Sequence, residues 1–138
     1  MERTLRAAHL VVGALTIGAF LVTGLVMYGH EPALSSLGWD ERLLFRSRHI
    51  YILAAGLVNV SLGIRYALPA GAARGGIAVA GSLLALASCA LLFFAFFAEP
   101  MARRAPGVLS ALGLYAVFGG VVLHAAASLQ RLPPGASR

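Results

Sequence analysis

Long apolar runs broken by short charged segments are the dominant pattern of this chain. Four stretches, Ala7 to Gly29, His49 to Leu68, Gly75 to Ala98 and Gly107 to Leu129, account for most of it. Each is close to the roughly 20 residues with which a helix crosses about 30 Å of hydrocarbon. Lipid solvates no backbone N–H or C=O, so such runs must satisfy their hydrogen bonds internally as helices. The pattern predicts an all-α four-helix transmembrane bundle forming a single four-span membrane domain over 1–138. The tail 132–138, with its Pro-Pro, is expected to be disordered. The first run follows Arg3 and Arg6 as a signal peptide would, but at about 23 residues it exceeds the 7 to 15 of a cleavable one. It is expected to be a retained anchor.

Within the runs, small and polar residues recur in alternating steps of three and four, which places them on one helical stripe. The first span carries His9, Gly13, Thr16, Phe20, Thr23, Met27 and His30. The second carries His49, Ile52, Gly56, Asn59, Gly63 and Tyr66. The third presents Gly81, Ala85, Ser88, Leu92, Ala95 and Glu99, and the fourth Ser110, Gly113, Val117, Gly120, His124 and Ala127. Lipid tails solvate leucine as well as another helix does, so membrane helices associate through close backbone approach and interhelical hydrogen bonds. The stripes therefore predict the inward faces, packed left-handed near +20°.

The longest break, His30 to Ser47, reads as a membrane-hugging connector. Within it Asp40 is placed to cap a short amphipathic helix anchored by Trp39. Segments 69–74 and 99–106 read as Pro, Gly and Arg turns.

Composition confirms the solvent. The apolar share is 59%, the charged share 12% and the formal net charge +6, with a mean hydropathy of +0.84, which excludes a water-soluble globule. One cysteine, Cys89, excludes an internal disulfide. Basic residues divide almost evenly between the two faces, so the charge rule decides little. Arg3 and Arg6 lead the first helix, and Glu31, Asp40, Glu41 and Glu99 fall on the opposite face. This balance points to both termini in the cytoplasm of a bacterial inner membrane.

Candidate chemistry lies at the helix ends. His9 and His124 approach one face, His30 and His49 the other, and either pair has the residue type that ligates haem b between facing helices. His9 and His30 are about 31 Å apart along one helix, so one of the two lies at a membrane boundary. The denser group is His30, Glu31, Arg46, Arg48, His49 and Glu99, brought together by the ends of three spans. Two histidines and a carboxylate suit zinc or another divalent metal. The same arginines could instead close an ion-paired clasp with Glu31 and Glu99, or hold a lipid phosphate. Asn59 is the most polar residue at mid-depth. No ionisable group lies mid-span, which argues against a proton pump or ion-coupled transporter. No nucleophile elbow, H-E-x-x-H, phosphate loop or C-x-x-C is present, which argues against an enzyme.

The run Phe45 to Leu53, FRSRHIYIL, followed by Asn59, Leu62, Gly63 and Tyr66 and by the FFAFFAEP ending of the third span, resembles a group of small, uncharacterised four-span inner-membrane proteins of proteobacteria. The resemblance covers most of the chain, and RSRHIY is its most specific part. It implies an inner-membrane location and four spans, and groups Arg46, Arg48, His49, Tyr51 and Glu99 in one site. It supplies no ligand.

The reading that follows is a non-catalytic binding or scaffolding bundle whose charged cap engages lipid headgroups or a partner. The alternatives are a small haem b redox protein and an oligomeric channel along the Gly and Thr stripes. Expected partners are membrane lipid, a second copy or another membrane subunit, and no nucleic acid.

Overall fold

A computed structural model describes residues 1–69, 71–101 and 107–129. It contains four long helices in the expected order: α1 (Glu2–Tyr28), α2 (Trp39–Arg65), α3 (Ala72–Met101) and α4 (Val108–Leu129). All four are long and apolar enough to cross a membrane. The chain is a small multi-pass membrane protein, an all-helical bundle. The tail 132–138 and the arginines Arg103, Arg104, Arg131 and Arg138 lie outside the described residues.

Several helix boundaries differ from the sequence reading. The connector ends early: after a single 3-10 turn at Leu34–Ser36, α2 starts at Trp39 and runs unbroken into the second span. No Gly or Pro occurs from Trp39 to Ala55, and Gly56 lies well inside the span, so the amphipathic segment and the span are one helix of about 40 Å. Asp40 does not cap it. Gly38 holds the cap position without a side-chain bond, and Asp40 and Glu41 occupy the first turn, where carboxylates favour the helix dipole. At its other end α2 stops at Arg65, three residues short of the predicted Leu68. The third span is longer than expected at both ends and contains Pro100 in its last turn. There the proline cannot bond to the Phe96 carbonyl and crowds it, and the helix ends one residue later, at Met101. Gly71, at φ 96°, turns the chain into α3, a backbone state that L side chains rarely adopt.

The bundle is two glycine-zipped hairpins. In the first, α1 lies so close to α2 that a Cβ on Gly13 would stand 2.7 Å from Val60 N, and one on Gly56 3.2 Å from Gly13 O. In the second, α3 meets α4 at Gly81 and Gly120, where a Cβ on Gly120 would stand 2.7 Å from Gly81 O. The hairpins join through α2 and α3, whose Phe45, Ile52 and Ala55 pack against Cys89, Leu92 and Phe96 to form the buried core. Close contacts of α1 with α3, and of α2 with α4, are sparse, so two seams of the bundle stay open. The outer faces carry exposed Leu15, Leu25, Phe94 and Phe118, as a lipid-facing surface requires.

Candidate functional site

At the face away from the termini, the start of α2, the end of α3 and the start of α4 converge. Arg48 and Glu99 are 8% and 5% exposed, and Arg48 Nε donates to Glu99 Oε2 at 2.8 Å. Glu99 also accepts the backbone N–H of Ser110 at 2.9 Å and the Ser110 hydroxyl. A side chain at Gly107 would run into the same carboxylate. Arg48 Nη1 donates to Ser47 Oγ at 2.9 Å. The pair is thus buried, neutral as a unit and held by hydrogen bonds that join three helices, which offsets the desolvation of two charges. It is a clasp in form, binding hairpin to hairpin.

The other residues predicted at this cap are placed around the clasp and not in it. Glu31 and Arg46 are exposed, and Tyr51 is half-buried. The His49 ring stacks on Phe20 at 4.0 Å between centres and its Nδ1 lies 3.0 Å from Thr23 Oγ1. His30 is half-buried, with Nδ1 2.8 Å from Pro32 O and its ring edge-on to Phe45. Among the described residues no three His, Cys, Asp or Glu side chains come together as metal ligands. Arg42 belongs to this region although the sequence reading passed over it. Its guanidinium lies 6.0 Å from the Trp39 ring centre, and its Nε is buried without a hydrogen-bond partner among the described residues. The spacing Trp39, Arg42, Arg46 on one helical face was the available signal.

The terminal face holds a second polar group. His9, fully buried, has Nδ1 2.7 Å from Asn59 Oδ1. Asn59 Nδ2 donates to Ala55 O and Ala85 O, both at 2.9 Å, and so ties α1 and α2 to α3. The rings of His9 and His124 stand 6.1 Å apart, and Tyr66 lies 5.5 Å from each. Tyr66 Oη and His124 Nε2 both meet Ser82 Oγ, at 2.9 and 3.0 Å. The structure therefore brings His9 and His124 together from opposite corners of the bundle, with Asn59 fixing one of them. Ser82 escaped the sequence reading because it sits one position off the predicted α3 stripe.

A comparison with protein-family models, curated proteins and solved structures finds no match for this chain. Function must come from the two faces themselves.

Proposed function

We propose that this protein is a non-catalytic binding bundle of the bacterial inner membrane, with both termini in the cytoplasm, whose cap holds an anionic lipid headgroup. The observation that carries this reading is Arg42. A guanidinium donor buried without a partner is costly, and at headgroup depth the acceptor at hand is a lipid phosphate, whose oxygens match the guanidinium fork. Arg46, one turn further along α2, is exposed and follows on the same face. Trp39, 67% exposed at the start of the helix, suits the membrane interface. On the opposite face of α2 a groove of about 360 Å³ runs along the α2/α4 seam, with Leu43, Leu44 and Leu114 as apolar walls and Ser47, Arg48 and Tyr51 as polar ones. Arg48 is neutralised by Glu99, so the phosphate is assigned to Arg42 and Arg46.

The test compares thermal unfolding of the purified protein in neutral detergent with phosphatidylglycerol or phosphatidylcholine added. Phosphatidylglycerol is expected to raise the midpoint more, and the double variant Arg42→Gln/Arg46→Gln is expected to lose that difference while melting as a folded protein. Equal stabilisation by both lipids in the parent would refute the reading.

A further inference from the structure

The lipid reading uses one face and leaves the terminal face unexplained. There the proton positions follow from counting donors. The Asn59 amide nitrogen is spent on Ala55 O and Ala85 O, so its oxygen accepts and His9 Nδ1 carries the proton. His9 Nε2 is then a bare lone pair, fully buried and without a partner among the described residues. Ser82 donates its only proton to Ala78 O at 3.0 Å, so Tyr66 O–H and His124 Nε2–H both donate to Ser82 Oγ. A neutral imidazole protonated at Nε2 keeps its lone pair on Nδ1, and this is the state of His124. Each ring thus gives one N–H to a neutral oxygen and holds its other nitrogen bare. A second-shell acceptor of this kind is what fixes the tautomer of a metal-ligating histidine. Here it occurs on two rings whose centres are 6.1 Å apart.

Distance, ligand count and charge narrow the choice of ion. Two imidazoles in line on one ion, with metal–nitrogen bonds of about 2 Å, stand about 6 Å apart between centres. The Tyr66 ring, 5.5 Å from each of them, closes the space beside the pair, so the pair receives a single atom and no flat cofactor. Among the described residues no third His, Cys, Asp or Glu joins the two, whereas zinc takes four ligands. Both imidazoles are neutral, and without a carboxylate in the group a second positive charge has nothing to offset it in a buried site. Copper(I) brings one charge and, as a closed-shell soft ion, accepts two nitrogen ligands in line; imidazole is among the ligands that suit copper. His124 and Tyr66 also line a groove of about 630 Å³ in the α2/α4 seam, which gives the buried pair a path to the surface.

We propose that His9 Nε2 and His124 Nδ1 hold a copper(I) ion in two-coordinate geometry, with Asn59 and Ser82 as the positioning residues that orient the two rings. The ion enters from the groove past His124 and Tyr66, and binding changes no oxidation state. The site shares no residue with the Arg42 cap, so either reading can fail without the other.

The test adds copper(I), kept reduced with ascorbate under nitrogen, to the full-length protein in detergent, in competition with the chromophoric chelator ferrozine. One ion per chain is expected. Its X-ray absorption is expected to show the sharp pre-edge of two-coordinate copper(I), with two imidazole nitrogens at about 2 Å. His9→Ala and His124→Ala are each expected to weaken binding at least tenfold. Ser82→Ala is expected to weaken it about tenfold, the usual cost of a lost second-shell partner, with the pre-edge unchanged. His49→Ala is expected to leave the affinity as it was. The parent's own spectrum decides the matter even if a variant fails to fold. Failure of the parent to bind copper(I), a spectrum with sulfur or with three or more ligands, or equal binding by the His9→Ala/His124→Ala double variant overturns the proposal.

Discussion

Arg48 and Glu99 are each less than one-tenth exposed, so replacing either by alanine strands the other's charge in a site with little water. Breaking a buried pair from one side costs about 3 to 5 kcal/mol, whereas replacing both partners by apolar groups of similar volume is often neutral. Arg48→Ala and Glu99→Ala are therefore each expected to destabilise the protein by about that amount. Arg48→Met/Glu99→Leu is expected to fall closer to the parent than either single variant. Reversible unfolding in mixed micelles measures all four, and costs that simply add would remove the clasp. Ser110 is expected to share the loss, because its hydroxyl and N–H both end on the same carboxylate. At this scale the sequence was readable where topology alone forces residues together. Arg48 and Glu99 end adjacent spans on one face, and so they meet. The Tyr66, Ser82 and His124 contacts were not readable, because they depend on the rotation of α3 by a single residue and on how far each helix runs beyond the hydrocarbon.

At the scale of the helix, glycine spacing decides which pairs zip. A Cβ on Gly13 would press on Val60 N of α2, and one on Gly120 on Gly81 O of α3. Backbone atoms cannot move aside as a flexible side chain can. Gly18, on the same α1 helix, meets nothing within 4 Å. Gly13→Ala and Gly120→Ala are expected to cost about 1 to 3 kcal/mol through overpacking. Gly18→Ala is expected to be neutral or to stabilise by up to about 1 kcal/mol through helix propensity. A melting series in one detergent checks the contrast, and three equal shifts would remove the zipper argument. These stripes were legible because a period near 3.6 survives any choice of helix end. The start of α2 was not. Nothing between Trp39 and Ser47 breaks a helix, yet its polar residues break the apolar run, so the hydropathy pattern and the backbone end at different places. Hydropathy reports where lipid begins. The helix extends beyond that boundary, here back to Gly38, which holds its cap position.

For the whole molecule, two zipped hairpins joined through α2 and α3 leave open seams on opposite sides. The α2/α4 seam carries a groove at each face, one beside Arg48 and one beside His124. Which face meets the cytoplasm decides the leaflet that the Arg42 cap faces. Four spans place both ends of the chain on one side, and the side itself is open to a direct measurement. The native Cys89 is buried and is expected to resist a membrane-impermeant maleimide, which makes the parent a blank. Ser36, in the exposed turn between α1 and α2, and Thr4, exposed at the start of α1, report opposite faces. In intact cells Ser36→Cys is expected to label and Thr4→Cys only after permeabilisation. The reverse result would invert the orientation and put the Arg42 cap in the cytoplasmic leaflet, where anionic headgroups give a negative surface potential. Labelling of both positions in intact cells would contradict the even number of crossings, and with it the pairing of His9 and His124 at one face.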